Sequence, residues 1–128
     1  MNRFVIYAML SVLSCLTLDG SGALAQEILS NNAKEKKILT LVAALQEVQQ
    51  HARQIKLKSN GLTQITLMIS SPPQREIPYY QVNVNNNAPN YENIYQFAVD
   101  PKTYQIFYYD AATNKQYSLA EWRKKKKR

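Results

Sequence analysis

From Leu62 onward the side chains alternate, with Thr63, Ile65, Leu67 and Ile69 on one side and Leu62, Gln64, Thr66 and Met68 on the other. A period of two marks a strand, because successive side chains of an extended chain point to opposite faces. The pattern returns at Tyr79–Val84, where Tyr80, Val82 and Val84 align, and at Tyr91–Val99, where Tyr95, Phe97 and Val99 align. Tyr104–Tyr109 is read as a fourth strand. Between them stand Ser71-Pro72-Pro73, a polar connection over 85–90, and Asp100-Pro101-Lys102-Thr103. Proline donates nothing to a ladder and presets a turn, so these stretches end strands. Asp110–Asn114 turns the chain again, and Lys115–Tyr117 is a brief extended piece. Ser118 and Glu121 then have the spacing of a capping box, which predicts one final turn of helix.

A sheet needs cover for at least one face. Ile38, Leu41, Leu45, Val48, Ala52 and Ile55 recur at intervals of three and four, the stripe of an amphipathic helix. Asn32 and Glu35 have capping-box spacing at its start, and Ser59-Asn60-Gly61 is a stop signal at its end. The spacing predicts a helix over Lys34–Leu57, about 36 Å long at about 1.5 Å per residue. The expected fold class is α+β, one long amphipathic helix packed on a four-stranded mainly antiparallel sheet, with the second face partly open.

Residues 1–25 read as a signal peptide. Arg3 supplies a positive start, Phe4–Leu18 is almost wholly apolar or small, and Ala23-Leu24-Ala25 is a cleavage site before Gln26. The apolar run is short of the roughly 20 residues of a membrane span. The expected organisation is a leader at 1–25, a single domain at 26–122, and a basic disordered tail at 123–128. The destination is periplasmic or secreted. Val12-Leu13-Ser14-Cys15 loosely resembles a bacterial lipoprotein box, and whether Cys15 is lipidated stays open. No other cysteine follows, so disulfides are excluded and one hydrophobic core must hold the domain.

Charge is concentrated at one end. The chain carries a net +7, and removing Arg3 and Asp19 with the leader leaves that value unchanged. Arg123, Lys124, Lys125, Lys126, Lys127 and Arg128 account for nearly all of it. A nearly neutral folded part argues against a globular nucleic-acid reader. The terminal run, with Trp122 before it as an interfacial anchor, is a candidate electrostatic attachment to an anionic membrane surface or envelope polymer.

No constellation of catalytic side chains is recognisable. His51 is the single histidine and falls at the border or outside of the helix stripe. With no cysteine in the domain and no second histidine, a zinc site of familiar type is not expected. No nucleophile-elbow motif is present. Asp100 and Asp110 lie at opposite ends of one predicted strand, too far apart for a glycosidase pair, and read as turn formers. Asp110, Thr113 and Asn114 lack the ligand spacing of an EF-hand. The expectation is a protein that is not an enzyme, with no metal and no cofactor.

Tyrosine is the compositional anomaly. Of 9 tyrosines, all but Tyr7 fall between Tyr79 and Tyr117. Adjacent ones, such as Tyr79 with Tyr80 and Tyr108 with Tyr109, must point to opposite faces and cannot all enter one core. A tyrosine row on an open sheet face suits protein or peptide contact, because each ring offers area and a hydroxyl at small entropic cost. The candidates are Tyr79, Tyr91, Tyr95, Tyr109 and Tyr117. The expected function is a non-enzymatic exported binding domain of the bacterial envelope or periplasm, contacting a protein or peptide through that face. The alternative is a small-ligand carrier or enzyme with a pocket between helix and sheet.

Tyr80-Gln81-Val82-Asn83-Val84 and the run from Tyr95 to Ile106 resemble the PepSY family of small exported bacterial domains. That family pairs an extended strand of this kind with a second strand ending in Val-Asp, then a turn of Asp-x-x-Thr-Gly type. Val99, Asp100 and Thr103 match the turn, while Tyr104 stands where glycine is usual; Asp110–Asn114 repeats the spacing with asparagine there. The likeness spans about Gln46 to Thr113. A cystatin-like arrangement of one helix against four strands is similar at this level. The resemblance implies export, a place in the envelope, and a peptidase-inhibitor-like regulator as a further alternative, with no catalytic residues to carry over.

Overall fold

Strand β3, Tyr80–Asn86, is central to the sheet that organises the chain. The computed structural model describes residues 26–30, 32–89 and 91–127. The leader expected at 1–25, with Cys15, lies outside the described residues, as does Arg128. The elements run β1 Gln26–Leu29, α1 Ala33–Ala43, α2 Gln46–Lys58, β2 Ile65–Ser71, β3, β4 Asn93–Val99, β5 Ile106–Asp110, β6 Lys115–Ser118 and α3 Leu119–Lys126. The six strands form one sheet in the order of the chain. β1 pairs parallel to β2, and every later pairing is antiparallel.

Register divides the side chains between two faces, with one bulge between β2 and β3 and one between β3 and β4. Leu67 stands opposite Val84, Val84 opposite Tyr95, Phe97 opposite Tyr108, and Tyr108 opposite Tyr117. All of these lie on the face covered by the helices. Ile38, Leu39 and Val42 of α1, Val48 and Ala52 of α2, and Trp122 of α3 are buried against that face in one core. The molecule therefore has two layers, with all three described helices on one side of the sheet.

The expectation of one long helix on a four-stranded sheet is corrected in three places. The short lead Gln26–Leu29 is a strand, and its parallel pairing with β2 brings Ile28 opposite Leu67 above the core. The single helix expected over Lys34–Leu57 is two helices, broken where Leu45 takes extended angles of φ −62° and ψ 139°. The break suits the sheet's dimensions: seven-residue strands cover about 23 Å at about 3.3 Å per residue, and an unbroken helix of about 36 Å would overhang them. Two pieces of about 16 and 20 Å both fit on the sheet. The side-chain amide of Gln49 reaches back to the carbonyl of Ala43 and helps to close the break.

The third correction concerns the tail. The extended piece expected at Lys115–Tyr117 is a sixth strand, and the helix that follows runs to Lys126, through residues expected to be disordered. Its capping box is formed on both sides: the Ser118 hydroxyl accepts from the amide of Glu121, and the amide of Ser118 donates to the Glu121 carboxylate. The Ser118 amide chiefly, then the Ser118 hydroxyl, holds the Glu121 carboxyl below its ordinary value. A cap alone seldom sustains so short a helix. Trp122 does: it is 6 % exposed and stacks on Tyr108 at 4.5 Å with the rings 4° from parallel.

Asn32 begins α1, with its side chain accepting from the amides of Lys34 and Glu35. Glu35 does not close a direct box. The amide of Asn32 instead donates to the Ser30 hydroxyl, which donates to the Glu35 carboxylate.

Candidate functional site

With the described helices gathered on one side, none of them covers the other face of the sheet. Its side chains alternate along each strand except at two bulges: Thr66, Met68 and, past a bulge, Ser71 on β2, Gln81, Asn83 and Asn85 on β3, Gln96, Ala98 and, past a second bulge, Asn93 on β4, Phe107 and Tyr109 on β5, and Gln116 on β6. Amides dominate its middle and bond across strands. The Asn93 amide donates to Asn85 Oδ1 at 2.8 Å, and the Gln96 amide donates to Asn83 Oδ1 at 3.3 Å. Each such side chain keeps further donors and acceptors available, since a carboxamide has two of each.

One end of this face is a cleft. Ala98 lies between Gln81 and Phe107 in register, and its single methyl leaves a floor with room above it. Tyr79, Gln81, Tyr109 and Gln116 stand around that floor, and Glu76, Ile77 and Pro78 from the β2–β3 connection form an outer wall, enclosing ≈ 200 Å³. Both rings are held. Tyr79 meets Phe107 edge to face at 5.6 Å, and the Tyr109 hydroxyl donates to Asn114 Oδ1 at 2.5 Å. At the opposite end Leu29, Met68, Asn85 and Tyr91 border a second depression of ≈ 360 Å³, with Tyr91 79 % exposed.

The five tyrosine candidates are thereby separated. Tyr79 and Tyr109 share the cleft, and Tyr91 stands alone at the far end. Tyr95 and Tyr117 lie on the helix-covered face and pack against the core, so the expected single tyrosine row is corrected to a pair and an outlier. Strand parity decides this: Tyr95 is two residues from Phe97, and Tyr117 stands opposite Tyr108. Trp122 is corrected too, because its indole is inside the core and is no interfacial anchor. Gln81, Asn83, Asn85 and Gln96, which this reading of tyrosine passed over, alternate with Val82, Val84 and Phe97, where the same parity makes them legible; Asn93 joins them only through a bulge in β4 that parity does not show.

Beneath α2 and α3 lies a second polar group. Glu47, 8 % exposed, accepts two bonds from Arg123, at 2.7 Å from Nε and 3.1 Å from Nη2. The Arg123 bonds hold the Glu47 carboxyl below its ordinary value, against the opposing effect of burial. One turn along α2, the Nε2–H of His51 donates to Oδ1 of Asn86 at 2.9 Å, and Asn86 is itself buried. Tyr95 lies between these pairs, 6.3 Å from the His51 ring; burial chiefly, then the Glu47 charge and Tyr108, push its hydroxyl up. These contacts tie α2 to β3 and α3. They make His51 a tether between helix and sheet.

The pocket weighed between helix and sheet meets a filled interface: Ile38, Leu39, Val42, Val48, Ile65, Leu67, Val82, Val84, Phe97 and Val99 are all 0 % exposed. Among the described residues no cluster of three or more His, Cys, Asp or Glu side chains is placed to hold a metal. Among them, too, no helix is long and apolar enough to cross a membrane.

The turn that carried the family resemblance has a definite geometry. Asp100 Oδ1 accepts from the amides of Lys102 and Thr103 at 2.7 and 3.0 Å, bonds that hold its carboxyl below the ordinary value, that of Thr103 contributing most. Tyr104 takes φ +61°, the left-handed region, and Asn114 takes φ +55° at the matching place in the next turn. Glycine adopts such angles without strain, and other residues do so at some cost. Tyr104 is retained with its ring against the core and Lys37 Nζ 4.3 Å from the ring centre. Comparison with protein-family models, with curated proteins and with solved structures finds no match to the chain.

Proposed function

We infer that this protein is a non-enzymatic binding domain of the bacterial envelope or periplasm, and that it holds a protein or peptide on the uncovered face of its sheet. The observation that carries the reading is the placement of all three described helices on one face, which leaves the cleft at Tyr79 and Tyr109 beside a field of side-chain amides. Two fixed aromatic rings give contact area at little entropic cost, and adjacent carboxamides give adaptable donors and acceptors. That combination matches an extended peptide, whose backbone presents the same amide groups between side chains. The filled helix–sheet interface weighs against the carrier or enzyme alternative. Placement in the envelope rests on the leader read at 1–25, and peptidase restraint rests on the PepSY-like turn; both are part of the proposal.

The chain, expressed with its own leader and recovered from the host, is used to capture partners from an envelope extract, beside a Tyr79→Ala/Tyr109→Ala variant. Capture that is lost in the variant while its urea midpoint stays near that of the parent supports the reading. So do shifts of the Gln81, Asn83 and Gln96 side-chain amide resonances on adding the captured protein. Equal capture by both chains overturns it. A peptidase among the face-dependent captures, inhibited by the parent and not by the variant, selects the regulator form of the proposal.

A further inference from the structure

What holds α3 in place differs from what α3 displays. Ser118 and Glu121 cap its start, Trp122 is sunk among Tyr95, Phe97 and Tyr108, and Arg123 is committed to Glu47. The next four residues, Lys124, Lys125, Lys126 and Lys127, are all exposed. Two of them are positioned by rings: Lys125 Nζ lies 4.4 Å from the ring centre of Tyr117 and 3.2 Å from its hydroxyl, and Lys126 Nζ lies 4.6 Å from the Trp122 ring. Two acids that feel these lysines, Glu47 (Lys126) and Glu121 (Lys125), are already engaged, by Arg123 and by the cap.

We propose that the end of α3 docks the protein on an anionic lipid surface through its phosphate headgroups. At about 3.6 residues per turn, four consecutive lysines fan around the whole helix axis. A linear polyanion is best followed by cations in a row, whereas a fan at a helix end meets a plane of phosphates. Leu119 and Trp122, the large apolar residues of α3, pack inward, so attachment is by charge without insertion. Polybasic segments act on anionic membranes in this way, each lysine adding about fivefold in affinity near the surface.

The test uses the full chain with vesicles of phosphatidylcholine alone and vesicles containing phosphatidylglycerol, read by cosedimentation. Attachment through the apolar stretch 4–18 would be alike on both and unaffected by changes at the lysines. The expected result is preference for the phosphatidylglycerol vesicles, abolished at about 1 M salt, where the screening length is about 3 Å. A Lys124→Gln/Lys125→Gln/Lys126→Gln/Lys127→Gln variant should lose that preference by roughly a hundredfold or more. A Lys124→Glu/Lys127→Glu variant, which leaves Lys125 and Lys126 on their rings, should lose it as well. Unchanged binding by the charge-reversed variant overturns the proposal. So does tighter binding to polyphosphate than to phosphatidylglycerol vesicles at matched phosphate concentration, which would assign the lysines to a linear polymer.

Discussion

Asn85 and Asn86 are neighbours on one strand and live in different chemistry. Asn86 points under the helices, is 7 % exposed, and accepts from His51 of α2. Asn85 points to the uncovered face and accepts from Asn93 at the surface. The tyrosines divide the same way: Tyr95 and Tyr108 close around Trp122, while Tyr79 and Tyr109 line an open cleft. Residue type therefore says little about role in this sheet. Strand parity assigns each side chain to a face, and the position of the helices decides which face is the core.

The sharpest way to break that contrast is at Trp122. Trp122→Ala removes a ring packed against three aromatic side chains and should destabilise the fold by about 3–5 kcal/mol, read by chemical denaturation. A cost below about 1 kcal/mol would mean that α3 does not cover the sheet and that the tail is separate from the domain after all. His51→Ala leaves the buried Asn86 carbonyl without its donor and should cost about 1–3 kcal/mol. Restoring stability with a second change, Asn86→Val, would confirm that the loss came from the orphaned oxygen.

The Glu47–Arg123 pair makes the covered side sensitive to acid. Its folded carboxyl sits below the unfolded value of about 4.3, so its stabilisation is complete above that value and is lost as pH falls through the lower, folded one. Glu47→Gln should cost about 1–2 kcal/mol at neutral pH, between the exposed and buried limits for ion pairs, because Arg123 remains 42 % exposed. Urea midpoints measured across the acid range should fall less steeply for the variant than for the parent. The smallest effect belongs to the uncovered side: Asn93→Ala breaks a surface amide bond and should shift stability by less than about 0.5 kcal/mol. A loss there as large as that at His51 would show that the face is structural, and would count against its use as a contact surface.

Much of the local structure is legible in the chain. Alternation at β2 through β4 follows from apolar side chains at every second position, β5 carries large side chains on both faces, and Ser71-Pro72-Pro73 and Asp100-Pro101 end strands for reasons of backbone chemistry. Ser118 with Glu121 announces a helix start. The break at Ala44–Leu45 carries no such mark, since neither proline nor glycine stands there and the apolar spacing continues through it. The pairing of Gln26–Leu29 beside β2 is equally silent in a four-residue segment.

What the sequence determined by itself, then, is the parity of each strand, the identity of the turns, and the concentration of charge after Trp122. Those are properties of neighbours along the backbone. The tertiary structure alone decided how the apolar face was covered, by a helix pair broken at Leu45 and by a basic terminal segment that folds back. The Glu47–Arg123 bond joins residues 76 apart, and Trp122 packs on rings of two earlier strands, separations across which local pattern carries no information. By filling one face they left Tyr79, Tyr109 and the amides of β3 and β4 in the open.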